Sequence, residues 1–197
     1  TAMLRIGATC GVARMDTSGS SEEIMRRADL ALYRGKEAGR GGVVHWDAQM
    51  DARQIERQQA IARLRSALTW GRALAAYQPI VELGTGKVVS VEALLRLREE
   101  DGTLFTATDV FAALLDPDLS RQVSRVMLDA VIADGPAILA QFGPDCRIGL
   151  NLSEADLRQG DFVRHLIDVI DDSPLSPANI TIEVTETMLL DAGGQLR

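Results

Sequence analysis

The amino-acid sequence predicts an α/β architecture, a sheet or barrel covered by helices, and three observations carry that prediction. Beyond residue 72, strand-like and helix-like segments alternate along the chain. The last two predicted strands, 147–152 and 179–185, repeat at about 32 residues, the length of one βαβ unit. Three of the predicted strands also share one design, apolar at every second position and small or polar at the positions between.

The elements follow in order. Residues 4–13 read as a short strand. Ser20, with Glu22 and Glu23 behind it, is a helix start, and Ile24, Ala28, Ala31 and Leu32 continue at helical spacing to a glycine stop at Gly39. From Ala48 to Trp70 a polar helix carries Ile61, Leu64 and Leu68 on one stripe and reads as a connector. Strands are expected at 76–83 and 87–98, joined by the turn Gly84-Thr85-Gly86 in an antiparallel hairpin, with Pro79 confining the first to an edge. Helical patterns fill 107–115, 119–133 and 161–172, and strands fill 147–152 and 179–185.

The strand faces are the most informative part of the pattern. Val89, Val91, Ala93, Leu95 and Leu97 form one face of the second strand, with Ser90, Glu92 and Arg96 opposite. Ile148, Leu150 and Leu152 stand opposite Gly149, Asn151 and Ser153, and Ile180, Ile182 and Val184 opposite Thr181, Glu183 and Thr185. The oily face suits covering helices; the other suits a barrel interior, where Glu92, Asn151 and Glu183 would converge. Two carboxylates and an amide oxygen make a hard ligand set, suited to Mg²⁺ or Mn²⁺ rather than to structural zinc.

Composition bounds the function. The 197 residues are 46% hydrophobic and 25% charged, as expected of a folded globular chain. No apolar run approaches the roughly 20 residues that span a bilayer, and the N-terminal residues lack a signal-peptide pattern, so a cytoplasmic location without membrane contact in this segment is expected. The chain does not begin with Met, which suggests a piece of something longer. Residues 72–197 hold 10 basic and 20 acidic side chains, a balance that disfavours DNA and accepts a small anion only where metal ions or local arginines offset it. Cys10 and Cys146 have no metal-ligand spacing and read as buried thiols, and His45 and His165 have no partner at ligand spacing.

Four segments then resemble a known family. Tyr77-Gln78-Pro79-Ile80-Val81, Val91-Glu92-Ala93-Leu94-Leu95-Arg96, Leu150-Asn151-Leu152-Ser153 and Ile182-Glu183-Val184-Thr185-Glu186 resemble, in order and spacing, the first half of an EAL domain, the cyclic di-GMP phosphodiesterase. Upstream, Ala28 to Arg40 is similar to the C-terminal helix of a GGDEF domain, the diguanylate cyclase fold. Phe105 to Phe111 departs from the family pattern, which usually carries a proline there before its helix.

The resemblance implies a partial (β/α)8 TIM-like barrel preceded by an α+β remnant of a GGDEF domain. Its domains would be residues 1–47 for the remnant, 48–71 for a helical linker and 72–197 for the first half of the EAL domain. It implies Glu92, Asn151 and Glu183 as ligands of Mg²⁺ or Mn²⁺, Gln78 and Arg96 as contacts of cyclic di-GMP, and Glu186 as a residue steadying a neighbouring loop. A helix cap near Thr187 is an equal reading of Glu186. Lys36 and Arg40 match residues that touch nucleotide phosphates in cyclases, but cations also suit a helix C-terminus on electrostatic grounds, and the cyclase signature loop is not in this chain.

The implied activity of the parent protein is hydrolysis of cyclic di-GMP to linear pGpG in bacterial second-messenger signalling. The later motifs of the family would follow Glu186, so the 197-residue piece is expected to be inactive alone. The alternatives are a non-catalytic cyclic di-GMP receptor and a structural or dimerisation module of a tandem GGDEF-EAL protein, with a homodimer through the EAL domain.

Overall fold

The computed structural model describes residues 6–15, 20–158 and 161–184. The chain divides into two compact units, Thr1–Gln58 and Gln59–Arg197.

The first unit contains β1 (Cys10–Val12), α1 (Ser21–Glu37), β2 (Val43–His45) and the opening turns of α2 (Ala48–Thr69). β1 and β2 pair in parallel, with Gly11 opposite Val44. Ser20 caps α1 by accepting from the Glu23 N–H at 3.2 Å, as its sequence position predicted. Gly11 faces α1 so closely that a Cβ there would collide with the backbone of Ala28 and Leu32. The alternation of β1 therefore turns Cys10 away from the helix, and Cys10 is exposed rather than buried as its sequence suggested. Asp51 on α2 accepts from Arg26 at 2.7 Å and from the Trp46 indole at 3.2 Å, while Arg57 reaches Tyr33 and Glu37.

The second unit is built on a five-stranded sheet. β3 (Ala73–Val81), β4 (Val88–Arg98), β6 (Arg147–Asn151) and β7 (Ile180–Glu183) lie in that order, and β5 (Leu104–Thr106) adds to the distal half of β4. β3 and β4 are antiparallel, as the Gly84-Thr85-Gly86 turn implies, and Pro79 falls on β3, the edge strand among the described residues, as expected of a residue without an N–H. β4, β6 and β7 are mutually parallel. α3 (Phe111–Leu114) and α4 (Pro117–Phe142) connect β4 and β5 to β6; α5 (Glu154–Arg158) and α6 (Asp161–Asp171) connect β6 to β7.

Most of the predicted apolar face is core, but Val89, Ile182 and Val184, expected on it, are exposed. Val91, Ala93, Leu95 and Leu97 on β4 and Ile148 and Leu150 on β6 are buried and pack with Leu64 of α2, Leu128 and Val131 of α4 and Phe162 and Leu166 of α6. α4 runs well past the predicted 119–133. Asp116 caps it through the Asp118 and Leu119 N–H groups, Pro117 occupies its first turn, and Gly143, at φ 110°, closes it. The internal Pro136 leaves the helix continuous; the preceding Gly135 gives Leu175 a seat, since a Cβ at 135 would come within 2.6 Å of Leu175 Cδ1. Two short elements escaped the sequence pattern: β5, and α5, which is only 5 residues long.

Candidate active site

Strand register assembles the site. Gln78 on β3 pairs with Glu92 on β4, Glu92 with Gly149 on β6, and Asn151 on β6 with Glu183 on β7. Gln78, Glu92 and Gly149 thus share one row on the face opposite the core, and Asn151 and Glu183 share the next, two residues farther along β6 and β7. Neighbouring strands are about 4.8 Å apart and residues rise about 3.3 Å along a strand, so Gln78 and Glu183 are separated by about 14 Å across the sheet and about 6.6 Å along it. Asn151 and Glu183 are the last residues of β6 and β7, at the C-terminal edge of the parallel strands. Glu92 lies in mid-strand, because β4 runs on beyond β6 to pair with β5.

The polar groups of the two rows meet. Asn151 Nδ2 donates to Glu92 Oε1 at 2.8 Å. The Glu183 carboxylate lies over Gly149, directly where a side chain at 149 would project, so the glycine leaves room for it between β4 and β7. Burial and the nearby negative charge of Glu92 push the Glu183 carboxyl above its ordinary range. Among the described residues neither glutamate has an ion-pair partner. Two carboxylates and an amide on these adjacent rows, with no basic side chain between them among the described residues, present the oxygen-rich field that Mg²⁺ or Mn²⁺ accepts. No group of three His, Cys, Asp or Glu side chains that could hold a metal ion is found among the described residues.

Arg96 stands four residues along β4 from Glu92, about 13 Å away at about 3.3 Å per residue. Its guanidinium donates to the Leu95 carbonyl at 2.8 Å and has no carboxylate partner among the described residues. Gln78 is exposed. Lys36 and Arg40 are exposed at and beyond the end of α1 in the first unit, with Arg40 at a left-handed φ of 63°. Glu186 lies outside the described residues.

Sequence reasoning missed two features around these rows. Gly149 was read only as a small residue, although it makes the space that Glu183 fills. Asp156, fully buried on α5, accepts from the Ser153 N–H and Oγ and from Ser124 Oγ, at 2.8, 2.6 and 2.7 Å. The Ser153-x-x-Asp156 spacing was its visible signal, a capping-box pattern just after the strand.

Known proteins resemble the chain over this same region. The sequence profile of the EAL domain matches residues 61–197. The chain is 30% identical over 195 residues to the bifunctional diguanylate cyclase/cyclic di-GMP phosphodiesterase MucR of Pseudomonas aeruginosa, covering 98% of this chain and 28% of that protein. It is also 30% identical over 183 residues to the cyclic di-GMP phosphodiesterase PdeR of Escherichia coli, covering 92% of this chain and 27% of that protein. The chain therefore spans little more than a quarter of the length of these two relatives. Among solved structures, "PaMucR Phosphodiesterase, c-di-GMP complex" aligns with TM-score 0.61 and 26% identity over 68% of this chain and 55% of that one. With the profile matching well over half its length, the chain belongs to the EAL domain family.

Proposed function

We propose that the protein to which this chain belongs is a cytoplasmic cyclic di-GMP phosphodiesterase of bacterial second-messenger signalling. The observation that carries the reading is the pair of adjacent rows that bring Gln78, Glu92, Asn151 and Glu183 together, with two carboxylates that have no ion-pair partner among the described residues. Glu92, Asn151 and Glu183 would hold Mg²⁺ or Mn²⁺. A bound cation of this kind supplies Lewis acidity toward a phosphodiester oxygen and lowers the pKa of water.

The chain's own residues do the rest. Asn151 donates from Nδ2 to Glu92, which turns its carbonyl oxygen away from that carboxylate and leaves it available as a neutral donor. Arg96, unengaged by any carboxylate among the described residues, offers two N–H groups to one phosphate, and Gln78 offers an amide at the β3 end of its row. In the reaction, water oxygen bonds to phosphorus, the P–O bond on the opposite side breaks, and the departing oxygen takes a proton; the ring opens to linear pGpG. Residues 72–197 are read as the first half of a (β/α)8 barrel, 48–71 as a linker and 1–47 as the end of a GGDEF domain, in which Lys36 and Arg40 remain from a nucleotide site.

Cyclic di-GMP supplied to the full-length protein with Mn²⁺ tests this: release of pGpG, abolished by Glu92→Ala, is the expected result. Binding of the dinucleotide without turnover, unaffected by Glu92→Ala, would replace the enzyme with a receptor.

A further inference from the structure

We infer that Asp156 is a positioning residue for Asn151, holding the turn after β6 in register with the rows of polar groups. Its side chain is fully buried, and all three of its hydrogen bonds converge on one oxygen, Oδ2. Two come from Ser153, two residues beyond Asn151; the third comes from Ser124, 32 residues away on α4. The backbone closes the same turn: the Asp156 N–H donates to the Ser153 carbonyl at 3.1 Å, and the Leu152 N–H donates to the carbonyl of Glu183 at 3.0 Å. The segment carrying Asn151 is therefore pinned on one side to β7 and on the other to α4.

The second oxygen, Oδ1, is buried without a hydrogen-bond partner among the described residues. A helix cap alone does not account for this arrangement, because an exposed carboxylate caps equally well and keeps its second oxygen in water. Burial against Ser124 ties the cap to the core helix instead, so the height of the Asn151 amide above Glu92 depends on α4 and not on a surface loop. An amide and a carboxylate that must share one cation tolerate displacements of only about half an ångström, which is the demand such a brace meets.

Oδ2 does all the accepting, so Asp156→Asn keeps the function: its carbonyl oxygen can receive the same three donors, with the NH₂ at the partnerless position. Asp156→Ala removes the brace. The inference rests on the metal-site reading above only for its Mn²⁺ readout; the Asn151 side-chain amide resonance in metal-free protein reports the geometry independently. We expect Asp156→Ala to shift that resonance toward the solvent-exposed position and to weaken Mn²⁺ binding at least about 10-fold, while Asp156→Asn retains both. Ser124→Ala, which cuts only the α4 arm, should give a smaller shift in the same direction and serves where Asp156→Ala does not fold.

A wild-type resonance and wild-type Mn²⁺ affinity in Asp156→Ala, or in Ser124→Ala where that variant must stand in, would overturn the inference, whatever the melting temperature does. Absence of Mn²⁺ binding by the wild-type protein would overturn the metal-site reading instead, and the resonance alone would then decide the role of Asp156.

Discussion

Asn151 and Glu92, 59 residues apart in the chain, meet through a 2.8 Å hydrogen bond from the amide nitrogen to the carboxylate. A carboxylate only accepts, so the amide orientation follows from its partner, and the Asn151 carbonyl is left as the free donor atom. On the metal-site reading proposed above, Glu92 would have two tasks, orienting Asn151 and contributing its own oxygens. Glu92→Gln weakens both: it removes the charge and can turn an NH₂ toward Asn151. The expected outcome is a loss of at least about 100-fold in Mn²⁺ affinity by titration calorimetry and in cyclic di-GMP hydrolysis, with the fold preserved by circular dichroism.

Glu183 predicts a pH dependence of opposite sign to that of a salt-bridged acid. Burial and the charge of Glu92 raise its folded-state pKa. The folded protein therefore binds this proton more tightly than the unfolded chain, and stability falls as pH rises from the unfolded value of about 4.3 through the raised folded value. Above the raised value the whole penalty is present. Glu183→Gln removes it, so in chelator-treated protein the melting temperature of the variant relative to wild type should climb between pH 4 and pH 7. A flat difference across that range would refute the coupling.

Arg96→Lys keeps the positive charge but loses the planar fork that, on the proposed reading, would pair with two phosphate oxygens at once in the full-length protein. Since Arg96 is tied only to the Leu95 carbonyl, the change disturbs no ion pair among the described residues. Steady-state kinetics should show KM for cyclic di-GMP raised about 10-fold, with kcat changed much less. A drop confined to kcat would assign Arg96 to the chemical step.

Tyr77, beside Gln78 but on the helix-facing side of β3, donates to Asp134 of α4 at 2.8 Å. Burial, and then this hydrogen bond, push the phenol well above its ordinary pKa, so it remains a donor throughout the working pH range. Tyr77→Phe should cost about 0.5–1.5 kcal/mol in chemical denaturation without altering Mn²⁺ affinity.

The contrast between Glu183 and Asp156 shows what the sequence makes legible. Glu183 was readable because strand alternation places every second residue on one face, and Glu92, Asn151 and Glu183 each stand on the polar face of their own strand, which the register brings onto two adjacent rows. The partner of Asp156 was not readable, because Ser124 lies 32 residues away and nothing in the local period of α4 marks a serine that faces a carboxylate. Cys10 failed for a related reason: its exposure is set by Gly11, whose missing side chain lets α1 approach the other face of β1. Local pattern specifies faces and caps, whereas pairings made between elements by tertiary packing leave no periodic trace. β5 was missed likewise, since its 3 residues form a strand only through Arg96, Leu97 and Arg98 on β4.

Gly135 makes a sharp test of packing because two rules oppose each other there. In a helix interior, alanine is normally favoured over glycine by about 1 kcal/mol. Here the added Cβ would meet Leu175, itself only 4% exposed, at 2.6 Å. Overpacking of this kind costs about 1–3 kcal/mol, so Gly135→Ala should be destabilising by up to about 2 kcal/mol despite its better helix propensity. Leu175→Ala alone leaves a cavity and should cost about 2–5 kcal/mol. Combining the two removes the collision and fills part of the cavity, so the double variant should be more stable than the sum of the single effects predicts, by at least about 1 kcal/mol in a denaturant cycle. Strict additivity would show that Leu175 swings clear of the new methyl and that the seat at Gly135 does not constrain α4.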